Sequence, residues 1–260
     1  MGLFRSELRK LTTVRTTTVL TLAGWALLVL GSLFLLFSNI DDETGMPTFG
    51  GAFTGSATDV AGVIDQIGGS SIIVLVIGLL LVTTEVRHQT IGRTLQLTPS
   101  RTRVLVAKLA AGLAYAAAFF LGGLVIVGVL LAIGAAAEGV GLSYGPEVGT
   151  ALWHGLVGLG LTAVFGVAIG ALLRSQVVAI TLTLVWVFIV ENLIRAFVPS
   201  VGRWLPLQAQ QAVFVSQELR DSVPAGALDL LEPAVGLAVF LGYVVVFTVV
   251  AAMLLRARDV

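Results

Sequence analysis

The chain of 260 residues contains no cysteine, which excludes a disulfide framework, a thiolate metal site and a cysteine nucleophile. It has only two histidines, His88 and His154, and they lack the close His/Glu spacing by which a single helix holds zinc. Neither a metal site nor a catalytic site is expected. Charged residues make up 12% of the chain, about half the fraction found in ordinary soluble domains. The sequence lacks a Gly-x-x-x-x-Gly-Lys-Ser/Thr phosphate loop and has no polar domain to house one. Nucleotide chemistry, if the function needs it, must come from another polypeptide. Internal repeats with periods of about 20–50 residues and low-complexity tails are missing as well.

What the chain does have is apolar: 57% of its residues are hydrophobic and the mean hydropathy is +1.01. A bilayer core of about 30 Å needs about 20 apolar residues of helix, because every backbone polar group must be satisfied within the segment. Six stretches meet that need, 19–37, 63–84, 104–136, 149–173, 177–198 and 234–255. The second has a continuous core only from Ile72 to Val82 and reaches length by extension back through Ile67, Gly68 and Gly69. The third is longer than a span requires, which predicts tilt or a bend, with Gly122-Gly123 the weak point. These runs are unbroken, unlike the dyad alternation of an outer-membrane barrel. The first run is preceded by a basic stretch, as in a signal peptide, yet it ends Leu36-Phe37-Ser38-Asn39 without a small-residue cleavage site and reads as a retained span. The fold class is therefore all-α: a polytopic membrane protein with one transmembrane domain of six helices.

Formal net charge is zero, but the charges are segregated. Arg5, Arg9, Lys10 and Arg15 precede the first span. Arg87, Arg93, Arg101, Arg103 and Lys108 lie between the second and third, Arg174 between the fourth and fifth, and Arg256 and Arg258 at the end. The opposite side holds only Arg195, Arg203 and Arg220, with most of the acids, among them Asp41, Asp42, Glu43, Asp59, Asp65, Glu138 and Glu147. Lys and Arg accumulate on the cytoplasmic side, so both termini should be cytoplasmic in a multi-pass protein of the cell membrane. Residues 3–17 read as an amphipathic interfacial helix, with Leu3, Phe4, Leu8, Leu11 and Val14 along one arc; Glu7 falls inside that arc and spoils it. The segment 199–232 carries several prolines and Trp204 and reads as external and interfacial.

The loop after the second span is the most informative stretch. It is basic and helix-compatible until Pro99, which forces a turn, so a short helix over 86–100 should precede re-entry at the third span. Glu85 closing the second span, then Gly92-x-Thr94-Leu95, Pro99-Ser100-Arg101 and Lys108 resemble the first cytoplasmic loop of ABC-2 type transporter permeases. That resemblance extends in layout over nearly the whole chain, although only the loop is specific at residue level. It implies that 86–100 is a coupling helix docking on a separate ABC ATP-binding subunit, with Glu85, Arg87, Gly92, Arg93, Thr94, Pro99, Arg101 and Arg103 at the joint. It further implies two ATP-binding subunits holding the ATP and magnesium, a second permease subunit making a homodimer, and no cofactor in this chain. Membrane lipid is the other partner, and no nucleic acid is expected.

Glu85 opposes the macrodipole at a helix C-terminus, so a partner is expected, either His88 at i+3 or a basic residue of the same loop. The loop arginines also suit topology and anionic lipid. If the fifth span starts near Val177, Glu191 lies about 21 Å in, at a depth where ionisable groups face a partner or a water-filled cavity. Arg195 at i+4 is a partner in the favourable order; Asn192 and, in the fourth span, His154 complete a candidate cavity. Gly166-x-x-x-Gly170 offers a close-packing face, expected to serve packing within the monomer. The sequence leaves a stand-alone secondary transporter or channel as the competing function, and an intramembrane hydrolase at Ser70 or Ser71 lacks an evident base.

Overall fold

The computed structural model describes residues 2–40, 47–49, 53–88, 100–173, 175–215 and 230–257. Apart from a three-residue antiparallel ladder of β1 (Ser38–Ile40) with β2 (Pro47–Phe49), the elements described are helices. Six helical segments among the described residues are long and apolar enough to cross a membrane: Arg15–Phe37, Ala57–Arg87, Thr102–Glu138, Pro146–Leu173, Gln176–Phe197 and Pro233–Leu255. Each overlaps one of the six stretches found in the sequence.

The N-terminal helix α1 (Gly2–Thr13) breaks at Val14 before α2 (Arg15–Phe37). The second span is two helices, α3 (Ala57–Gly69) and α4 (Ser71–Arg87), which meet at Ser70. Ser56 opens α3 by accepting a hydrogen bond from the Asp59 amide at 3.2 Å, an N-cap that satisfies one orphan donor. At the joint the Ser70 hydroxyl donates to the Gly24 carbonyl at 3.0 Å and ties the break to α2. This explains why the apolar core of the second span is short: the helix is interrupted, and its first half begins six residues before the expected boundary.

The third span, α5 (Arg101–Glu138), runs without interruption through Gly122-Gly123 and ends at Gly139, whose φ of 67° suits a left-handed cap. The glycine pair does not break the helix; it admits neighbours. Gly122 lies against the Trp25 indole, and a Cβ on Gly123 would sit 3.1 Å from Ile67. The fourth span, α6 (Pro146–Leu173), packs most extensively on α4. A Cβ at Gly78 would meet the Ala163 carbonyl at 2.5 Å, one at Gly170 the Leu79 carbonyl at 2.6 Å, and Gly166 abuts the Leu75 carbonyl. Two backbones are therefore in direct contact, the arrangement by which helices associate where lipid is as apolar as the side chains. The Gly166/Gly170 face thus packs inside the chain.

The fifth span comprises α7 (Gln176–Val185), a π-turn at Trp186–Val190 and α8 (Glu191–Phe197). The extra residue of a π-turn rotates the helix beyond it and loosens carbonyls. Asn192 Nδ2 takes up two of these, donating to Val187 O at 3.1 Å and Phe188 O at 3.2 Å. A short α9 (Pro199–Gly202) comes next, then α10 (Pro206–Phe214) and the last span, α11 (Pro233–Ala257). Of the expected interfacial segment 199–232, residues 216–229 lie outside the described residues. Helix α10 is buried among α11, α6 and α3 rather than lying along a surface. Its Phe214 ring fills the space left by Gly68 and Gly158, and Gln210 Nε2 donates to Thr162 Oγ1 at 2.7 Å. The buried Gln210 amide enters the bundle here with a hydrogen-bond partner.

Candidate functional site

Four charged side chains converge at the end of the bundle where α2 begins and α4 ends. Glu7 and Lys10 come from α1, Glu85 from the last turn of α4, and Lys108 from the third turn of α5. Lys108 Nζ contacts Glu7 Oε2 at 2.9 Å and Glu85 Oε1 at 2.8 Å, and it donates to the Leu81 carbonyl at 2.7 Å. Lys10 Nζ contacts Glu7 Oε1 at 2.5 Å and also binds Glu85 Oε1. Relative exposure is 0% for Glu7, 6% for Glu85 and 2% for Lys108, so three members are removed from solvent. Such burial is sustainable because two ammoniums meet two carboxylates and no net charge remains.

The two carboxylates occupy positions that local physics disfavours. Glu85 sits where the negative end of the α4 dipole repels a carboxylate, and the two lysines supply the opposing charge. Glu7, which interrupts the apolar arc of α1, points into the bundle beside Leu11 rather than toward water. The Lys10 ammonium is pulled two ways: partial burial lowers its proton affinity, and the carboxylates of Glu7 and Glu85 more than offset that, holding its pKa above the ordinary value. Leu11, Ile77, Leu81, Leu105 and Ala171 pack around the cluster as one apolar group.

Next to the cluster is a cavity of about 520 Å³ between α1, the first turn of α2, α4 and Gln176 at the start of α7. Arg87 stands at its mouth, with Nη1 donating to Gln176 Oε1 at 3.4 Å. Among the described residues no carboxylate lies within ion-pair distance of Arg87.

The joint residues expected from the sequence divide accordingly. Glu85 is central to the cluster, where it pairs with Lys10 and Lys108. Arg87 and Arg103 are exposed, and Arg101 is the first residue of α5. Gly92, Arg93, Thr94 and Pro99, with most of the expected helix over 86–100, lie outside the described residues. Glu7 and Lys10 went unrecognised as site residues. Glu7 as a charge in an otherwise apolar arc was the available signal.

The other candidate group is differently arranged from expectation. Glu191 is fully buried and accepts from Trp186 Nε1 at 2.8 Å and from the amides of Leu207 and Gln208 at 3.1 and 3.2 Å. It is thus the cap of α10, supplied from the other side of the chain turn, where exposed amides and the helix dipole favour a carboxylate. The expected ion pair with Arg195 does not form: among the described residues Arg195 is not within 4 Å of any carboxylate. Asn192 is spent on the π-turn. His154 is half-buried in α6 and shares no hydrogen bond or ion pair with this group among the described residues. Among the described residues no side-chain hydrogen bond or ion pair joins Glu191, Asn192, Arg195 and His154 to one another.

The architecture defines a multi-pass membrane protein. No protein-family model matches the chain, and no curated protein aligns with it significantly.

Proposed function

We propose that the chain is the membrane-spanning permease subunit of an ATP-driven exporter of the ABC-2 type, acting with a separate ATP-binding subunit. In this reading both termini and the 86–100 segment face the cytoplasm of the cell membrane. That segment is the coupling helix, α1 lies at the cytoplasmic interface, and two permease copies pair with two ATP-binding subunits that hold ATP and magnesium. The observation that carries the reading is the buried cluster of Glu7, Lys10, Glu85 and Lys108 at the root of that segment.

A coupling element works only if a push on the loop moves the helices on both sides together. Glu85 ends α4, Lys108 lies near the start of α5, and the same ion pairs fasten both to α1. Shifting a two-state balance from 1:99 to 99:1 takes about 5.5 kcal/mol. Breaking a buried ion pair by removing one partner costs about 3–5 kcal/mol. The joint therefore resists loads of the size it has to transmit. The segregation of Lys and Arg supports the orientation independently.

The test is nucleotide hydrolysis by the complex purified from its native membrane. Arg93→Glu and Arg101→Glu should leave insertion intact and abolish stimulation of hydrolysis by the permease; unchanged stimulation in both removes the coupling role. A stand-alone secondary transporter or channel is the second reading. The break at Ser70 and the buried α10 favour it, because discontinuous helices frame the binding sites of such proteins. It predicts no hydrolysing companion.

A further inference from the structure

The cavity beside the charge cluster spans a gradient of polarity along a known direction. Three membrane-crossing segments terminate around it: α2 starts at Arg15, α4 stops at Arg87 and α7 starts at Gln176. Its mouth is therefore at the level where hydrocarbon gives way to headgroups. The mouth carries Arg87, His88, Lys10, Thr16 and Gln176; the floor is Ile77, Leu80 and Leu81. From Arg87 down to Ile77 is ten residues of helix, about 15 Å, so the floor lies well inside the apolar layer.

The charges that face the space decide the sign of what fits. Glu85 is on the wall, but it is held by Lys10 and Lys108, and Glu7 behind it by the same two lysines. What remains is the guanidinium of Arg87, whose contact with Gln176 is neutral and long at 3.4 Å, together with the ring N–H of His88 and the hydroxyl of Thr16. Among the described residues these donors meet no anionic acceptor, and they are set above an aliphatic slot. A guanidinium at such a boundary recognises phosphate through paired, charge-assisted hydrogen bonds.

We propose that this cavity binds an anionic phospholipid of the surrounding bilayer, its phosphate against Arg87 and His88 and one acyl chain along Ile77, Leu80 and Leu81. A volume of about 520 Å³ is in the range of specific small-molecule sites and takes the phosphate with the upper part of one chain. The lipid would bridge α2, α4 and α7 at the same end of the bundle as the ion cluster. Such a site requires no ATPase partner.

The test is native mass spectrometry of the full chain released from neutral detergent micelles doped equally with palmitoyl-oleoyl phosphatidylglycerol and the corresponding phosphatidylcholine. Phosphatidylglycerol adducts should persist at activation energies that strip phosphatidylcholine. Arg87→Gln should lower their retention about five- to tenfold. Leu80→Trp, which fills the floor, and Thr16→Trp, which plugs the mouth from an exposed position and leaves the core untouched, should each abolish them. Unchanged retention in Arg87→Gln, or in Thr16→Trp with the protein monodisperse, overturns the site. Displacement of the lipid by millimolar inorganic phosphate would show that the chain contributes nothing and would overturn the amphiphile assignment. Because no hydrolysis is measured, a negative outcome leaves the exporter reading standing.

Discussion

Replacing Lys108 by methionine should release α1 from the bundle. Lys108 is 2% exposed and makes three contacts at 2.7–2.9 Å, two of them to carboxylates. Methionine fills a similar volume, so little packing is lost. What changes is charge: Glu7 and Glu85, both buried, lose one of the two ammoniums that face them in the cluster. Breaking a buried pair in this way costs about 3–5 kcal/mol, and the lower end applies because the Lys10 side chain is 41% exposed and opens one edge of the cluster to water. About 3 kcal/mol corresponds to roughly two orders of magnitude in the undocked population. The absence of cysteine permits a clean readout. Leu11→Cys introduces a single thiol at a position now 8% exposed, and its maleimide labelling should accelerate about a hundredfold with Lys108→Met. Adding Glu7→Gln restores neutrality and should recover more than half of the protection. Labelling that does not change, or a double variant no better protected than Lys108→Met alone, refutes the view that charge balance docks the helix.

Two further outcomes rest on the packing. Glu191→Gln replaces a carboxylate oxygen facing the Leu207 and Gln208 amides with a donor, and should lower stability by about 1–3 kcal/mol in reversible unfolding from mixed micelles. Wild-type stability would show that the α10 cap is dispensable. Gly166→Ala or Gly170→Ala pushes a methyl onto the backbone of α4 and should cost about 1–3 kcal/mol. Gly149→Ala, with nothing within 4 Å of the new methyl, should be neutral or stabilising by up to about 1 kcal/mol. Equal effects at the two kinds of position would contradict the close α4–α6 contact.

The six spans were legible because a bilayer imposes a length and a composition on any helix that crosses it, and 19–37 or 149–173 satisfy both without help from tertiary contacts. The interruptions were not. The short Ile72–Val82 run hinted at the break near Ser70, but the hydrogen bond from Ser70 to Gly24 links residues 46 apart in sequence. The π-turn at Trp186–Val190 leaves the hydrophobic pattern unchanged; it rotates α8 as a unit, and the Glu191 carboxylate that opens α8 meets the amides of α10. Helical spacing made Arg195 the natural partner, and the amides of a helix sixteen residues on won instead. Glu85 was identified from its conflict with the helix dipole, a local property. Its partners, Lys10 and Lys108, come from other helices, and only Glu7, a charge in an apolar stripe, marked α1 as a contributor.

The proposed function rests on a second polypeptide bound at the root of the 86–100 segment. Affinity purification of the intact chain from its native membrane in mild detergent, coupled to an assay for vanadate-sensitive ATP hydrolysis, addresses that most directly. Hydrolysis should travel with the chain and be lost from Arg93→Glu preparations. A chain that purifies intact and folded without any nucleotide-hydrolysing companion contradicts the exporter assignment.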